Sequence, residues 1–312
     1  MLKKINISND SNPWWGVVWK IIAFACYAAI NTLARYLCGG SNSNLEQTLP
    51  VNVIIFFQDS FALLFLLPWI FHHKVSLSHP RFIKLHFARV IFSVSAIIAW
   101  YFALFFIPQA EAAALSIIGP VLGVIGAKWF LKEHIGMHRF LLILISFSVS
   151  LCVTWGFIPS FKAIHLEYGL GLGCIIVSAV LFAAAKLLTR QLAHKGESAQ
   201  KLTAYLLILM VPFSFVPALF FWVTPSLEHI PWLALGGLLT TLAIYAVSSA
   251  LTYAEVSFLA PFDFIQFILN AAMGYWIFTE IPSNWVFWVI TTFLLGHLGL
   301  LLFKFNSRSR AL

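Results

Sequence analysis

The chain has 312 residues, of which 61% are hydrophobic and only 10% charged, with a net charge of +8 and a mean hydropathy of +0.91. Soluble domains carry about 25% charged residues, so the composition excludes an ordinary soluble globule and implies an integral membrane protein. The charge surplus is spread along the chain instead of forming a basic patch, which argues against nucleic acid as a partner.

A span of a hydrocarbon core about 30 Å thick takes roughly 20 apolar residues of helix. Runs of that kind are predicted ten times, over residues 15–37, 51–71, 87–107, 112–131, 140–157, 169–188, 202–223, 231–251, 258–278 and 285–305. They are far longer than the alternating strands of an outer-membrane barrel, and backbone amides in lipid must be bonded internally, so the spans are read as helices. Lys3 and Lys4 ahead of the first run resemble the start of a signal peptide. The run is too long for that role, and it is taken as the first permanent span.

Of the 19 lysines and arginines, only Arg35 and Lys162 fall on the outer side if the N-terminus is cytoplasmic. That bias is what the positive-inside rule predicts, and it places both termini in the cytoplasm of a multi-pass protein. Ten spans divide at the polar loop 158–168 into two units, 14–157 and 169–305. Five is odd, so the second unit enters the bilayer inverted with respect to the first.

Internal repetition supports the division. Residues 103–133 align without a gap over 250–280, with identities at Ala103/Ala250, Leu104/Leu251, Ala113/Ala260, Trp129/Trp276 and Glu133/Glu280. Residues 27–35 align over 182–190, matching Asn31 to Lys186 and Arg35 to Arg190. Inverted repeats of this kind bind substrate where the repeats meet. The expected fold is therefore all-α, with ten transmembrane helices forming two inverted five-helix repeats around a central pathway.

A charge near mid-bilayer costs on the order of 2.5 to 3.5 kcal/mol on insertion scales, so polar residues at that depth turn toward protein or water. In the ninth span Asp263, Gln266 and Asn270 recur at i, i+3 and i+7 and share one helical stripe, opposed in the fourth span by Ser116, Gly119 and Gly123. The second span contributes Gln58 and Asp59, and the first contributes Tyr27, Asn31 and Arg35. Trp100, Tyr101, Tyr245 and Tyr253 are candidates for stacking on a flat substrate. Asp263 lies at a depth that Lys186 can reach, which makes an inner ion pair an expectation, and Arg35 and Arg190 would flank the two mouths of the pathway.

Pro120 and Pro261 are placed to kink or break the fourth and ninth spans, while Pro212 and Pro217 fall in the seventh. Cys26, Cys38, Cys152 and Cys174 lack metal spacing, and His72, His73, His79, His86, His134 and His138 crowd loops without a converging ligand set. His297 is an intramembrane titratable group in the tenth span. No metal or cofactor is expected.

The segments Ala103-Leu104, Ala113-Ala114-Leu115, Gly119-Pro120-Val121 and Phe130-Leu131-Lys132-Glu133, followed by Ala260-Pro261-Phe262-Asp263-Phe264 and Gly274-Tyr275-Trp276-Ile277-Phe278-Thr279-Glu280, resemble the EamA branch of the drug/metabolite transporter superfamily. The resemblance spans nearly the whole chain. It implies ten helices in two inverted repeats, a central cavity, cytoplasmic termini, and carriage of small metabolites across the bacterial inner membrane. The Ala-Pro-Phe-Asp-Phe segment is similar to that of members associated with riboflavin or S-adenosylmethionine uptake. Where many members have an arginine after paired phenylalanines, this chain has Phe56-Phe57-Gln58-Asp59.

The expected function is alternating-access transport of a small polar or aromatic metabolite, such as an amino acid, a flavin or a nucleoside-like compound, by a monomer or homodimer. Asp263 or Asp59 would carry protons if transport is proton-coupled. The sequence holds no G-x-x-x-x-G-K-[ST] loop for ATP-driven pumping, and no H-E-x-x-H or G-x-S-x-G motif for the rival reading as a membrane-embedded enzyme. Export of drugs or metabolites by the same fold is the other alternative.

Overall fold

Long apolar runs without internal breakers become helices because each amide finds its acceptor four residues back. The computed structural model of the chain describes residues 13–39, 48–72, 82–107, 112, 115–116, 118–132, 148 and 166–278. Its helices are α1 (Trp14–Leu37), α2 (Val51–His72), α3 (Ile83–Phe106), α4 (Ile118–Phe130), α5 (Leu166–His194), α6 (Ala199–Phe220), α7 (Ile230–Tyr253), α8 (Val256–Leu259) and α9 (Phe264–Phe278). All of these are helical, and the described residues include no strand. Six helices, α1, α2, α3, α5, α6 and α7, are long and apolar enough to cross a membrane.

The predicted spans 140–157, apart from residue 148, and 285–305, with His297, lie outside the described residues. The other eight predicted spans each coincide with helix, but their limits move. α3 begins at Ile83 and α5 runs from Leu166 to His194, because Lys84, His86, Lys186 and Arg190 are accommodated within helices whose apolar faces carry on past them.

The ninth span is discontinuous. A single 3-10 turn, Ala260–Asp263, separates α8 from α9. Pro261 has no amide hydrogen to continue the ladder, which explains the tightening. Pro212 and Pro217, by contrast, lie inside an uninterrupted α6.

The turn between α5 and α6 shows how abruptly the chain reverses. Gly196 adopts φ +90°, the left-handed conformation that ends helices, and the Glu197 amide reaches back to the Leu192 carbonyl at 3.2 Å. Ser198 then caps α6 by accepting from the Lys201 amide at 3.4 Å. Two helices thus become neighbours through a four-residue join, Lys195 to Ser198.

Aligned positions of the repeat end their helices in the same way. α3 stops where Ile107 turns extended and its amide bonds the Ala103 carbonyl at 2.9 Å; α7 stops where Ala254 turns extended and bonds Ala250 at 3.0 Å. Ala103 and Ala250 are buried, and Trp129 and Trp276 are 76% and 74% exposed. Exposure of such large rings suits a lipid-facing surface, as do Ile176, Val177 and Val180 on α5.

Packing crosses between the two halves of the chain. α1 lies along α7 and α9, α2 along α7 and α6, and α3 along α5, while α1, α2 and α3 touch one another far less. Three apolar clusters result: one around Leu37, Ile54, Leu104 and Leu233, a second around Leu66, Val90, Leu207 and Met210, and a third around Val17, Leu251, Val256 and Leu259.

α2 and α7 approach closely at Gly237. A Cβ built on Gly237 would sit 2.8 Å from the Ala62 amide nitrogen and 2.9 Å from the Phe61 carbonyl carbon, and Thr241 Oγ1 donates to the Ala62 carbonyl at 2.9 Å. Gly237→Ala is therefore expected to destabilise the protein by about 1 to 3 kcal/mol through overpacking. Denaturant unfolding of the detergent-solubilised protein checks this, and an unchanged midpoint would contradict the contact.

Candidate functional site

Two positively charged residues that read from sequence as part of the cytoplasmic charge bias are instead built into the helix bundle. Lys20 on α1 is 5% exposed and Arg89 on α3 is 2% exposed. Both line a cavity of about 280 Å³ bordered by α1, α2, α3, α5, α6, α7 and the broken ninth span. Helices from both halves of the chain supply its walls.

One end of the cavity holds a three-membered ionic cluster. Asp263, at the end of the 3-10 turn, pairs through one carboxylate oxygen with Lys20 and through the other with Lys186 of α5, the latter at 2.9 Å. Lys20 also donates to the Leu259 carbonyl at 2.8 Å. That carbonyl sits at the junction where the α-helical ladder gives way to the tighter turn, so Lys20 serves the helix break as well as the carboxylate. Two ammonium groups compensating one buried carboxylate is the arrangement that desolvation demands, since an unpaired ion there costs several kcal/mol.

A second network ties α1, α3 and α9 together. Trp100 Nε1 donates to Asn31 Oδ1 at 3.0 Å, and Asn31 Nδ2 donates to Asn270 Oδ1 at 3.1 Å. Asn270 Nδ2 in turn donates to the Gln266 carbonyl at 2.9 Å. Tyr101 donates its hydroxyl to Gln58 Oε1 at 3.3 Å. Gln58 Nε2 and Asp59 Oδ2 are buried with no hydrogen-bond partner among the described residues.

Most residues singled out from sequence meet in this cavity. Tyr27, Asn31, Gln58, Asp59, Trp100, Tyr101, Lys186, Asp263 and Gln266 all line it, together with Ser116 and Gly119 of the fourth span. Asn270 is fully buried and does not line it, because its amide is turned onto Asn31. Gly123 packs instead, with a built Cβ 3.8 Å from Val256.

Other candidates lie elsewhere. Tyr245 does not line the cavity; its ring sits edge-on between Trp19 and Trp69, with centroids 5.4 and 5.8 Å away. Tyr253, 41% exposed at the end of α7, is also absent from the cavity wall. Arg190 is buried and does not line the cavity, but it donates to the carbonyl of Leu251, which does. Arg35 lines a separate pocket with Cys38, Leu104 and Phe105, its guanidinium 4.8 Å from the Phe278 ring centroid. Tyr101 lines both pockets.

Lys20, Arg89 and Ser93 were missed by the sequence reading, although a signal existed. Lys20, Tyr27 and Asn31 are spaced i, i+7 and i+11, and Arg89, Ser93 and Trp100 are spaced i, i+4 and i+11, each set on one helical face. Ser178 and Thr240 were missed as well, and single hydroxyls in apolar helices give no comparable pattern. Among the described residues there is no group of His, Cys, Asp and Glu suited to a metal.

Breaking the ionic cluster has a predictable asymmetry. Asp263→Asn leaves two ammonium groups uncompensated and is expected to cost about 3 to 5 kcal/mol, whereas Lys20→Met costs less because Lys186 still pairs with the carboxylate. The double variant should recover part of the Asp263→Asn loss, with a coupling of about 0.5 to 3 kcal/mol in a double-mutant cycle of unfolding. Strict additivity would mean that the two side chains do not interact.

Comparison with known proteins agrees with this architecture. A crystal structure superposes with a TM-score of 0.71 over 91% of this chain and 96% of that one, at 16% identity, and so shares the fold. The chain is 28% identical over 282 residues to a riboflavin transporter of Vibrio cholerae, covering 89% of this chain and 90% of that protein. It is 22% identical over 269 residues to an S-adenosylmethionine uptake transporter of Rickettsia felis, covering 86% of each. Residues 14–155 match the EamA-like transporter family. With six helices long and apolar enough to cross a membrane and a cavity lined by buried polar groups between them, the chain is similar over most of its length to transporters of small metabolites, and over residues 14–155 to the EamA-like transporter family.

Proposed function

We propose that the protein is a secondary carrier of the bacterial inner membrane, with both termini cytoplasmic, that moves a ring-bearing metabolite by alternating access around the central cavity. The observation that carries this reading is that one cavity is bordered by helices of both halves and lined by buried polar groups that have no hydrogen-bond partner among the described residues, Gln58 Nε2 and Asp59 Oδ2 among them. Buried polar atoms without partners cost about 1 to 3 kcal/mol each. A substrate that bonds them in passing offsets that cost.

The repeat reading, with units 14–157 and 169–305 inverted and ten spans in all, draws support from the matched helix ends at Ile107 and Ala254 and the matched exposure of Trp129 and Trp276. A rocking motion of one repeat against the other has a natural seat in the broken ninth span. In this reading Asp263, Lys20 and Lys186 form the inner end of the site. Asn31, Gln58, Asp59, Gln266 and Asn270 contact or support polar substrate groups, and Tyr27, Trp100 and Tyr101 contact its ring. Arg35 and Arg190 act outside the cavity wall.

A flavin or a nucleoside-like compound suits aromatic walls with amide groups beside them, and the riboflavin and S-adenosylmethionine transporters among the similar proteins carry ligands of that build. Asp59 is the favoured proton carrier if transport is proton-driven, because no ion pair among the described residues engages it.

Uptake into proteoliposomes tests the whole reading. Labelled riboflavin and S-adenosylmethionine, offered with and without an imposed pH gradient, should show saturable entry of at least one compound, accelerated by the gradient. Trp100→Ala should raise KM by about 2- to 12-fold from lost ring contact, more than Trp100→Phe, which retains a ring. Entry that stays linear with concentration would refute a carrier, and insensitivity to the gradient and to Asp59→Asn would refute proton coupling.

A further inference from the structure

Three cationic side chains and two carboxyl groups line the cavity. Lys20, Lys186 and Arg89 face it, against the carboxyl groups of Asp59 and Asp263. Asp263 is occupied by both lysines. Asp59 pairs with no cation among the described residues. Arg89 thus has no ion-pair partner among the described residues, and it is 2% exposed within a helix long and apolar enough to cross a membrane.

The fork of Arg89 is half used. Its Nη2 donates to the Leu202 carbonyl of α6 at 2.9 Å, which fixes the side chain across the α3–α6 contact, and Nη1 is buried with no hydrogen-bond partner among the described residues. The neighbouring His86 is taken up by the Tyr205 ring, 4.5 Å between centroids, and supplies no negative charge. A guanidinium remains charged at any accessible pH and presents planar donors suited to carboxylate or phosphate oxygens. From its place on the wall, with Ser93 one turn further along α3 and Tyr27 facing from α1, it addresses the same cavity as Trp100.

We propose that Arg89 is the anchor for an anionic group of the substrate, so that the transported metabolite carries a carboxylate or phosphate in addition to a ring. This deepens the carrier reading and rests on it for the location of the substrate. A permanently cationic substrate without an acidic group is disfavoured by the same charge surplus. The anion would supply the counter-charge that the protein withholds, and an empty cavity would hold an incompletely compensated arginine.

Matched pairs that differ only in the acidic group test this. Riboflavin against its 5′-phosphate, adenosine against its 5′-monophosphate, and indole-3-acetamide against indole-3-acetate are compared for binding to the purified full chain by tryptophan quenching, and for uptake into proteoliposomes. The acidic member of at least one pair should bind about tenfold or more tightly, the scale of one charge-assisted hydrogen bond. Arg89→Gln should abolish that preference while Arg89→Lys retains part of it, with thermal melting as the control for folding.

Equal binding of both members in every pair by the wild-type chain overturns the assignment whatever the variants do. So does competition by inorganic phosphate as effective as that of the phosphorylated compounds, which would mark a free-anion site. Saturable uptake confined to neutral members overturns the anchor and leaves the carrier intact. Preferential binding of acidic members without any uptake upholds the anchor and refutes the carrier.

Discussion

Compensation of charge inside an apolar bundle is the constraint around which this structure is arranged. Asp263 can be buried only because Lys20 and Lys186 reach it from two different helices. Those helices belong to opposite halves of the chain. The same lysine that balances the carboxylate also bonds the Leu259 carbonyl at the helix junction. Helix geometry, inter-half contact and cavity polarity are thus joined at one carboxylate.

The second network has a different character. Asn31, Trp100 and Asn270 are neutral, and their bonds run between α1, α3 and α9 without carrying charge. Neutral amide pairs of this sort contribute roughly 0.5 to 1.5 kcal/mol each and can exchange partners at little cost. One end of the cavity is therefore held by strong, long-range interactions and the other by weaker, directional ones. A carrier needs such a difference if parts of it are to separate while the remainder stays packed.

Much of the fold was legible because membrane spans obey a length rule that tertiary context rarely overrides. The helices at 51–72 and 230–253 begin and end within two residues of their predicted limits. Where the reading slipped, electrostatics was the reason. Lys84 and His86 fall before the predicted start of their span and Arg190 just past the predicted limit of its own, yet they continue helices whose other faces are apolar. Lys20 and Arg89 count toward the charge bias by position, but their side chains turn inward, and only their spacing from Tyr27 and Trp100 reveals it. Most of the polar residues picked from sequence meet in one cavity, whereas Tyr245 shows that an aromatic residue among so many others cannot be placed without its neighbours, here Trp19 and Trp69.

Tyr101 stands between the central cavity and the pocket at Arg35, and it is the only described residue lining both. Its hydroxyl donates to Gln58 at 3.3 Å, and one phenol is shared by the walls of spaces of about 280 and 220 Å³. Elsewhere the cavity is backed by clusters of packed leucine, isoleucine and valine. A side-chain rotation of Tyr101 would reshape a wall shared by both pockets.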